Sequence, residues 1–309
     1  MVYGLIVLLV CLASVGGLTA LRITDPFVLS TARATSFDLL QRLSPRPYVD
    51  APVRIVDIDE ASLGKLGQWP WPRDVLAELV DRLHAAGAAT VAFDFICAEP
   101  DRMSPSRLAN DARLREALGV AGTASLNELP DNDRTFADAM RRGYVVIGFG
   151  ASPALDVLPP SKAGFAYTGE DPAAYVTLLP GGARVLPELA EAAAGVGSVT
   201  LSDELSLGVV RQMPLIWTDG KKLYPSLAAE ALRVAQEAQT YVVHADPETG
   251  GVQSVRIGAY EVPTEPTGEL HLYFTPPRED RYISAADIFD NDRLARLVPQ
   301  IEGRIILIG

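Results

Sequence analysis

The sequence contains few of the residues that most often carry metal or redox chemistry. Only two cysteines and three histidines occur among its 309 residues. Cys11 and Cys97 show no zinc-type or C-x-x-C spacing and are not expected to pair with each other. His84, His244 and His271 are scattered and form no HExxH motif. We therefore predict no metal site, no cofactor and no disulfide.

Positive charge is scarce as well. Lysine and arginine total 27 against 39 acidic residues, which gives a net charge of −12 and an isoelectric point near 4.8. A chain with this balance offers no basic stripe to phosphates, so nucleic acid is excluded as a partner. The motifs of nucleophilic catalysis are missing too, since there is no G-x-S-x-G elbow and no Walker loop. The main prediction is that this chain is not an enzyme.

Residues 2–21 contain no charged residue. Twenty helical residues extend roughly 30 Å, the thickness of a bilayer core. We predict a transmembrane anchor over residues 1–21. A cleaved signal peptide is the alternative, and the lack of a basic start disfavours it. Small residues four apart, Ala13 with Gly17 and Gly16 with Ala20, are either a dimer face or simply residues common in membrane helices.

Residues 22–48 are predicted to form a juxtamembrane helix and a linker. Asp25 and Pro26 supply an N-cap with proline at the first helical position, and apolar residues recur at helical spacing as far as Leu43. The prolines that follow indicate a linker. Arg22 and later arginines locally oppose export of the rest of the chain, although large exported domains often escape that rule. Charge alone therefore leaves the orientation open.

The most informative segment covers residues 53–101. An apolar strand at 53–58 is followed by an amphipathic helix that begins at Pro72, and then by a second apolar strand at 89–95. This order predicts a parallel βαβ unit with a right-handed crossover. The alternation of helices and strands continues to residue 201, with one helix expected from Pro105 to Leu118. We therefore predict an α/β domain over residues 49–309 with a parallel core flanked by helices.

The second half of the chain has a different pattern. Residues 209–217 with an Asp219-Gly220 turn indicate a hairpin, and strands are expected near 241–244, 252–257 and 270–274. These antiparallel strands are predicted to extend the same mixed sheet. A last helix is expected to begin at a cap formed by Ser284. Residues 151–184, rich in glycine, proline and alanine, are predicted to be a long irregular loop. The final apolar strand at 304–309 is predicted to be in the core, so further sequence is expected to follow it.

Acidic residues gather where the first two strands end, and the candidates are Asp57, Asp59, Glu60, Asp94 and Glu99. Ligands of open α/β sheets bind at this edge, so these side chains are candidate ligand-binding residues. A structural alternative is favoured for two of them. In that interpretation Asp59 caps a helix, and Asp57 anchors Arg73 or loop amides.

Trp69 and Trp71 stand between prolines in a stiff elbow just before Arg73. They either stack on a ligand and clamp it against that arginine, or plug the edge of the sheet, and we favour the plug. Arg211 either reaches an acidic ligand or pairs with an internal acid, and we favour the internal partner. Asp131 and Asp133 lack the glycine and glutamate that a calcium loop requires, so we interpret them as helix caps.

Several motifs in one order resemble a known family. They are VDIDEASL (56–63), GQWPWPR (67–73), AAGAATVAFDFICAEPDRMSP (85–105), LPDND (129–133), GSVTLSDELSLGVVRQMPLIW (197–217), YPSLAAEAL (224–232), ISAADI (283–288) and GRIILIG (303–309). Together they resemble the CHASE domain of the second type, CHASE2, from about residue 22 to the end. Such domains are the extracytoplasmic sensors of bacterial adenylate and guanylate cyclases, histidine kinases and serine/threonine kinases.

The resemblance implies a sensory domain at 49–309 on the periplasmic side of the inner membrane. It also implies an output domain outside this chain, an unidentified small ligand or envelope signal, and a homodimer. One enzyme alternative rests on the residues themselves. A strand followed by Asp57 and Asp59 resembles a phosphatase motif, with the first as nucleophile and the second as acid/base on magnesium. Glu60-Ala61 in place of Gly-Thr counts against it.

Overall fold

The computed structural model describes residues 2–24, 26–152, 157–179, 181–182, 185–201 and 209–309. It contains a parallel sheet, a second sheet and flanking helices. The helices are α1 (Val2–Thr24), α2 (Phe27–Leu43), α3 (Glu60–Leu66), α4 (Arg73–Ala85), α5 (Pro105–Leu108), α6 (Ala112–Asn127), α7 (Asn132–Arg142), α8 (Pro187–Ala192), α9 (Leu227–Ala235), α10 (Ala285–Ile288) and α11 (Asn291–Ile301).

The strands fall into two main groups. Six of them form one sheet, four form another, and four more make two small ribbons. The strands are β1 (Val53–Asp57), β2 (Thr90–Ile96), β3 (Val145–Phe149), β4 (Gly164–Gly169), β5 (Gly195–Ser198), β6 (Gln212–Pro214), β7 (Ile216–Thr218), β8 (Leu223–Pro225), β9 (Thr240–Asp246), β10 (Gly251–Ile257), β11 (Tyr260–Pro263), β12 (Glu269–His271), β13 (Tyr282–Ser284) and β14 (Ile305–Ile308).

Contacts divide the chain into two compact units. The first contains residues of Met1–Val49 and Tyr273–Pro277, and the second contains Asp50–Ser202, Val210–Leu272 and Arg278–Gly309. In the first unit α2 packs its Phe37 ring edge-to-face on Tyr273, at 5.7 Å between centroids. Helix α2 agrees with the predicted juxtamembrane helix, although the expected cap Asp25 lies outside the described residues. Within the described part of the chain, no helix is long and apolar enough to cross a membrane.

The main sheet is parallel throughout, in the order β13-β1-β14-β2-β3-β5. The predicted parallel core flanked by helices is therefore confirmed. The structure adds a detail that the sequence did not specify, because β1 and β2 are not neighbours. The last strand β14 lies between them and pairs with both, Val53 with Ile305 on one side and Thr90 on the other. A short local pattern cannot reveal such a distant partner.

Alternate residues of β2 bury on opposite faces of this sheet. Val91 and Phe93 join the core formed with α4 and α7, whereas Ala92 joins the core formed with α9. Since successive side chains of a strand point to opposite faces, a nearly continuous apolar strand requires this cover on both sides. The central strands therefore lie between two layers of helices.

Helix α4 shows how the sequence defines one of those layers. Its apolar positions recur at helical spacing, and Pro72 precedes its first residue with extended backbone angles. The helix ends before Gly87, whose φ of +87° is one that glycine adopts without strain. The buried stripe consists of Leu76, Ala77, Leu79, Val80 and Leu83.

The second half differs from the prediction in its connectivity. The strands that were predicted to be antiparallel do not extend the main sheet, and β11-β10-β9-β4 form a sheet of their own around Tyr241 and Val255. Strand β4 lies inside the segment predicted as an irregular loop and pairs in parallel with β9. The hairpin is formed by β7 and β8, since β6 pairs with the distant β12. These pairings are long-range, so local turn signals do not specify them.

Two other helix predictions were wrong in detail. The helix expected from Pro105 to Leu118 is two helices, α5 and α6, with Asp111 capping the second by accepting from the amides of Arg113 and Leu114. Gly119 interrupts α6 with a φ of +65°. The final helix is likewise divided into α10 and α11. In both places a capping aspartate starts a second helix, although the apolar periodicity predicted a single continuous helix.

Candidate functional site

The carboxyl ends of the parallel strands share one edge of the main sheet, as predicted. Asp57 ends β1 opposite Ser284, which ends β13. Asp94 lies near the end of β2, and its Cβ approaches Gly309, which follows β14. Asp57 is half-buried and Asp94 is exposed. The topology therefore gathers both predicted strand-end acids at this edge.

Asp59 serves helix α3 as its N-cap. Its Oδ1 accepts hydrogen bonds from the Ser62 amide at 2.8 Å and hydroxyl at 2.6 Å, and from the Ser284 hydroxyl at 3.0 Å. The hydrogen bonds from Ser62 and Ser284 lower the pKa of Asp59 even though partial burial raises it. Glu60, in the first turn of the same helix, is exposed. The structural interpretation of Asp59 agrees with this geometry.

This geometry also counts against the phosphatase alternative. A general acid needs a pKa near the working pH, whereas hydrogen bonds hold the pKa of Asp59 below its ordinary value. The Asp59 oxygen that caps the helix is also already committed to three donors. Within the described residues, no group of three or more His, Cys, Asp or Glu side chains is placed to hold a metal ion.

The tryptophan elbow connects α3 to α4, and its two rings have different environments. Trp71 is only 2% exposed and donates from Nε1 to the carbonyl of Gly67 at 2.8 Å. Trp69, which precedes a cis Pro70, is half-buried. Its ring packs edge-to-face on Trp71 at 5.5 Å and on Phe95 at 4.9 Å. Trp71 is thus a packed plug, while Trp69 keeps one side at the surface.

A chain of aromatic rings continues from this elbow into the core. Phe95 contacts Phe93 at 5.1 Å, and Phe93 contacts Phe136 of α7 at 5.4 Å, both edge-to-face. Phe93 and Phe136 are fully buried. The surface at Trp69 is therefore in continuous packing contact with α7 through four rings.

Arg73, the first residue of α4, does not pair with Asp57 as one prediction proposed. Its backbone amide donates to Asp101 Oδ2 at 2.8 Å, and its Nε lies 3.7 Å from Asp133 Oδ1. Asp57 is the last residue of β1, and the loop after β2 supplies the carboxylate instead. The structural role proposed for Asp57 therefore passes to Asp101.

Asp101 and Asp133 form the centre of a buried polar network, and each is 7% exposed. Asp101 Oδ2 also accepts from Asn132 at 2.8 Å, and its Oδ1 accepts from the Met103 amide at 2.9 Å. Asp133 Oδ2 accepts from the Asp101 amide at 2.8 Å. Burial raises the pKa of Asp133, although that hydrogen bond and the Arg73 charge act in the opposite direction.

Asp131 completes the network at the start of α7. It caps the helix by accepting from the amides of Asp133 and Arg134, and it accepts from the hydroxyls of Ser104 at 2.7 Å and Ser106 at 2.6 Å. The predicted capping role of Asp131 agrees with this geometry. Sequence analysis missed that two separate motifs, PDRMSP and LPDND, meet here. Each motif places an aspartate just before a predicted helix, and this shared pattern was the only indication in the sequence that the two could interact.

A cleft of about 400 Å³ lies between the tryptophan elbow and the loop after β2. Trp69, Pro70 and Phe95 supply apolar wall, and Arg73 and Asp101 lie at its inner side. The exposed residues Glu99 and Arg102 also line it. Of the predicted site residues, the cleft brings together Trp69, Trp71, Arg73 and Glu99.

The other predicted residues lie apart from this cleft. Asp57, Asp59, Glu60 and Asp94 do not line it, and Arg211 precedes β6 in the β6–β12 ribbon, where its carbonyl accepts from the Leu272 amide at 2.8 Å. The described structure therefore separates the acidic strand ends from the aromatic elbow instead of joining them in one mouth.

Cys97 lies behind the cleft and is 1% exposed. Burial raises the pKa of its thiol to about 11, despite the nearby Arg73. A buried thiol with a raised pKa is a poor nucleophile. The geometry of the cleft thus combines aromatic surface and a cation with carboxylates that are committed to structure, which suits binding better than catalysis.

The family model described as the CHASE2 domain matches residues 5–309, essentially the whole chain. The chain belongs to the CHASE2 family. CHASE2 domains are extracytoplasmic sensory domains of signalling proteins and are not catalytic. No curated protein and no solved structure shows a significant match to this chain.

Proposed function

We propose that this CHASE2 domain is the ligand-binding input module of a membrane-bound bacterial signalling protein. The cleft between the tryptophan elbow and the loop after β2 is its small-molecule site. Occupancy of the cleft regulates an output domain of the adenylate or guanylate cyclase or kinase type, outside this chain, within a homodimer. The observation that carries the proposal is a cleft of about 400 Å³, within the size range of ligand pockets, beside a buried polar network.

The network supplies a route by which occupancy changes structure. Arg73 and Asp101 touch both the cleft and the network, and Asp101 bonds directly to Asn132 and Asp133 of α7. A ligand that moves the loop after β2 therefore alters the capping of α7 and the start of α4. A sensor requires two conformations with unequal affinity for the ligand. In this proposal, the two conformations differ in the caps at the starts of α4 and α7.

A thermal-shift screen of small organic molecules on the full chain tests the site. Compounds that bind in the cleft should raise the melting temperature, and Trp69→Ala should abolish that rise because it removes one wall. Tyr167→Ala is the matched control, since Tyr167 is an exposed aromatic residue of β4 and does not line the cleft. A hit whose shift survives Trp69→Ala binds elsewhere and overturns the location.

Hydrogen–deuterium exchange on the same hits tests transmission. The proposal expects altered exchange in the first turn of α7, around residues 131–135, as well as in the loop at 97–104. A change confined to the loop would remove the proposed route while leaving the cleft as a binding site.

Membrane attachment belongs to the same proposal. The uncharged run at residues 2–21 is the proposed anchor, with the sensory domain on the periplasmic side of the inner membrane. After alkaline washing of membranes, the full chain should remain in the pellet, and protease added to spheroplasts should digest the domain. A chain that is released by the wash, or that is protected from the protease, contradicts the anchor or the orientation respectively.

Output type and dimerisation complete the proposal. The gene beyond the codon for Gly309 should encode a cyclase or a kinase, because the family functions in signalling proteins. Chemical cross-linking of the full chain in membranes should yield a dimer. A gene with no output domain, or a chain that remains monomeric, would remove these parts of the proposal and leave the binding site untouched.

A further inference from the structure

The side chain of Arg73 is the more buried of the two arginines that line the cleft. It is 13% exposed, and its one ion-pair partner in the described structure is Asp133, at 3.7 Å from Nε. That distance is too long for a hydrogen bond, and both Arg73 Nε and Asp133 Oδ1 are buried without a hydrogen-bond partner. Buried donors are normally bonded, so this guanidinium is placed for an acceptor that the described residues do not supply.

The neighbouring carboxylates are already occupied. Asp101 accepts from three donors, including the Arg73 backbone amide, and Asp131 accepts from two hydroxyls and two amides. Asp133 uses its other oxygen for the Asp101 amide. Among the described residues, no carboxylate therefore binds the fork of the guanidinium side-on. Arginine recognises carboxylates best in that two-bond geometry.

The walls of the cleft indicate what kind of molecule carries the acceptor group. Trp69, Pro70 and Phe95 line the cleft together with Arg73 and present flat apolar surface. The two exposed charges that also line the cleft, Glu99 and Arg102, have opposite sign and offset each other. A single negative charge on a flat apolar body thus matches the cleft better than a cation, which Arg73 repels, or a phosphate dianion beside the buried carboxylates of Asp101 and Asp133.

We propose that the cleft binds a small organic carboxylate with a flat apolar body, its carboxylate on the Arg73 guanidinium and its apolar body against Trp69 and Phe95. This assignment rests on the proposed function and names the ligand class of the same site. Arg73 also connects the ligand to the polar network. Its guanidinium binds the ligand and at the same time lies next to Asp133, which belongs to that network.

Calorimetry on the full chain with 3-phenylpropionate, and with its neutral amide as the matched probe, tests the assignment. The carboxylate should bind at least about tenfold more tightly than the amide, since it alone forms the charged two-bond pair. This comparison uses the unaltered chain, so it does not depend on whether any variant folds.

Two substitutions then locate the charge. Arg73→Gln should weaken binding of the carboxylate by at least about tenfold and leave the affinity for the amide unchanged. The Arg73 backbone bond to Asp101 does not involve the side chain and remains. Arg142→Gln is the matched control because Arg142 is an exposed arginine paired with Asp81 outside the cleft. Its carboxylate affinity should equal that of the unaltered chain.

Several results would overturn the carboxylate assignment. They are equal affinity for carboxylate and amide, unchanged carboxylate binding by Arg73→Gln, and tighter binding of 3-phenylpropylamine. If a neutral or cationic compound binds in a way that depends on Trp69, the assignment fails while the proposed binding site stands. If no compound of any class in the thermal-shift screen binds at the cleft, the proposed function itself fails.

Discussion

At the scale of single residues, a buried triad lies outside the site. Glu230 and Arg233 of α9 are 0% and 4% exposed, and they form bonds of 2.7 and 2.9 Å. Tyr241 of β9 donates to Glu230 at 2.8 Å, and Arg233 also donates to the carbonyls of Ala194 and Ala238. Every charge in this triad is paired, as burial requires.

Removing one member of this triad should be costly. Arg233→Met is expected to lower the free energy of unfolding by about 3–5 kcal/mol, because it leaves Glu230 buried without its cation. Denaturant unfolding measures this change. Arg142→Gln is the control, since that exposed pair with Asp81 should contribute less than about 1 kcal/mol. An equal loss of unfolding free energy in the two variants would show that burial of the Glu230–Arg233 pair does not increase its contribution to stability.

His84 predicts a pH effect at the same scale. Burial lowers its pKa from the ordinary 6.5, although Asp81 raises it, and its Nε2 has no hydrogen-bond partner in the described structure. The unfolded chain therefore binds a proton more readily than the folded one. The contribution of neutral His84 is fully present above pH 6.5 and is lost as the pH falls below that value.

The measurement for His84 compares unfolding midpoints on either side of pH 6.5. The unaltered chain should lose stability on acidification, and His84→Asn should lose less because it cannot be protonated. If both chains show the same slope, another group is responsible for the pH dependence.

At the scale of elements, capping aspartates decide where helices begin. Asp59, Asp111, Asp131 and Asp290 each accept from backbone amides at the start of a helix. Sequence analysis identified two of these, Asp59 and Asp131, from the position of an aspartate before a helical pattern. It missed the starts of α6 and α11, where it expected single longer helices. The helical spacing of apolar residues continues across such a break, but the helical conformation of the backbone does not.

Asp131 should be worth more than an ordinary cap, because it also accepts from two hydroxyls of the α5 segment. Asp131→Ala is expected to lower the free energy of unfolding by at least about 1–2 kcal/mol. Asp111→Ala, at the exposed cap of α6, should cost about 0.5–1 kcal/mol. Thermal or denaturant unfolding compares them, and a larger loss at Asp111 would contradict this ranking.

The Asp131 cap also has a pH dependence of its own. Burial raises the pKa of Asp131, but hydrogen bonds from Ser106, Ser104 and two amides outweigh it, so the net pKa is lowered from 3.8. Its stabilisation is present above that value and is lost as the pH falls through the lowered pKa.

At the scale of the whole molecule, β14 completes the main sheet. It pairs with β1 and β2 at once, and Ile306 and Ile308 are fully buried. Without it, β1 and β2 each lose the hydrogen-bonded strand on one side and keep only β13 and β3 respectively. The core of the domain is therefore closed by β14, which lies more than 200 positions after β2 in sequence.

Truncation after Arg304 should consequently prevent folding of the parallel sheet. We expect this variant to be digested rapidly by protease and to lose its cooperative thermal transition. Ile306→Val is the control, which should fold and lose only about 0.5–1.5 kcal/mol. A truncated chain that melts cooperatively would show that β1 and β2 can pair without β14.

The sequence alone determined the α/β class, the parallel core, the burial of the final strand and the family, because periodicity and ordered motifs are local properties of the chain. It also placed Trp69 and Arg73 together, since they are neighbours in one elbow. It did not reveal that β14 separates β1 from β2, or that Asp101 takes the role expected of Asp57. Only the tertiary structure decided those pairings, because contacts between distant segments depend on sheet order and packing, for which no single segment carries a pattern.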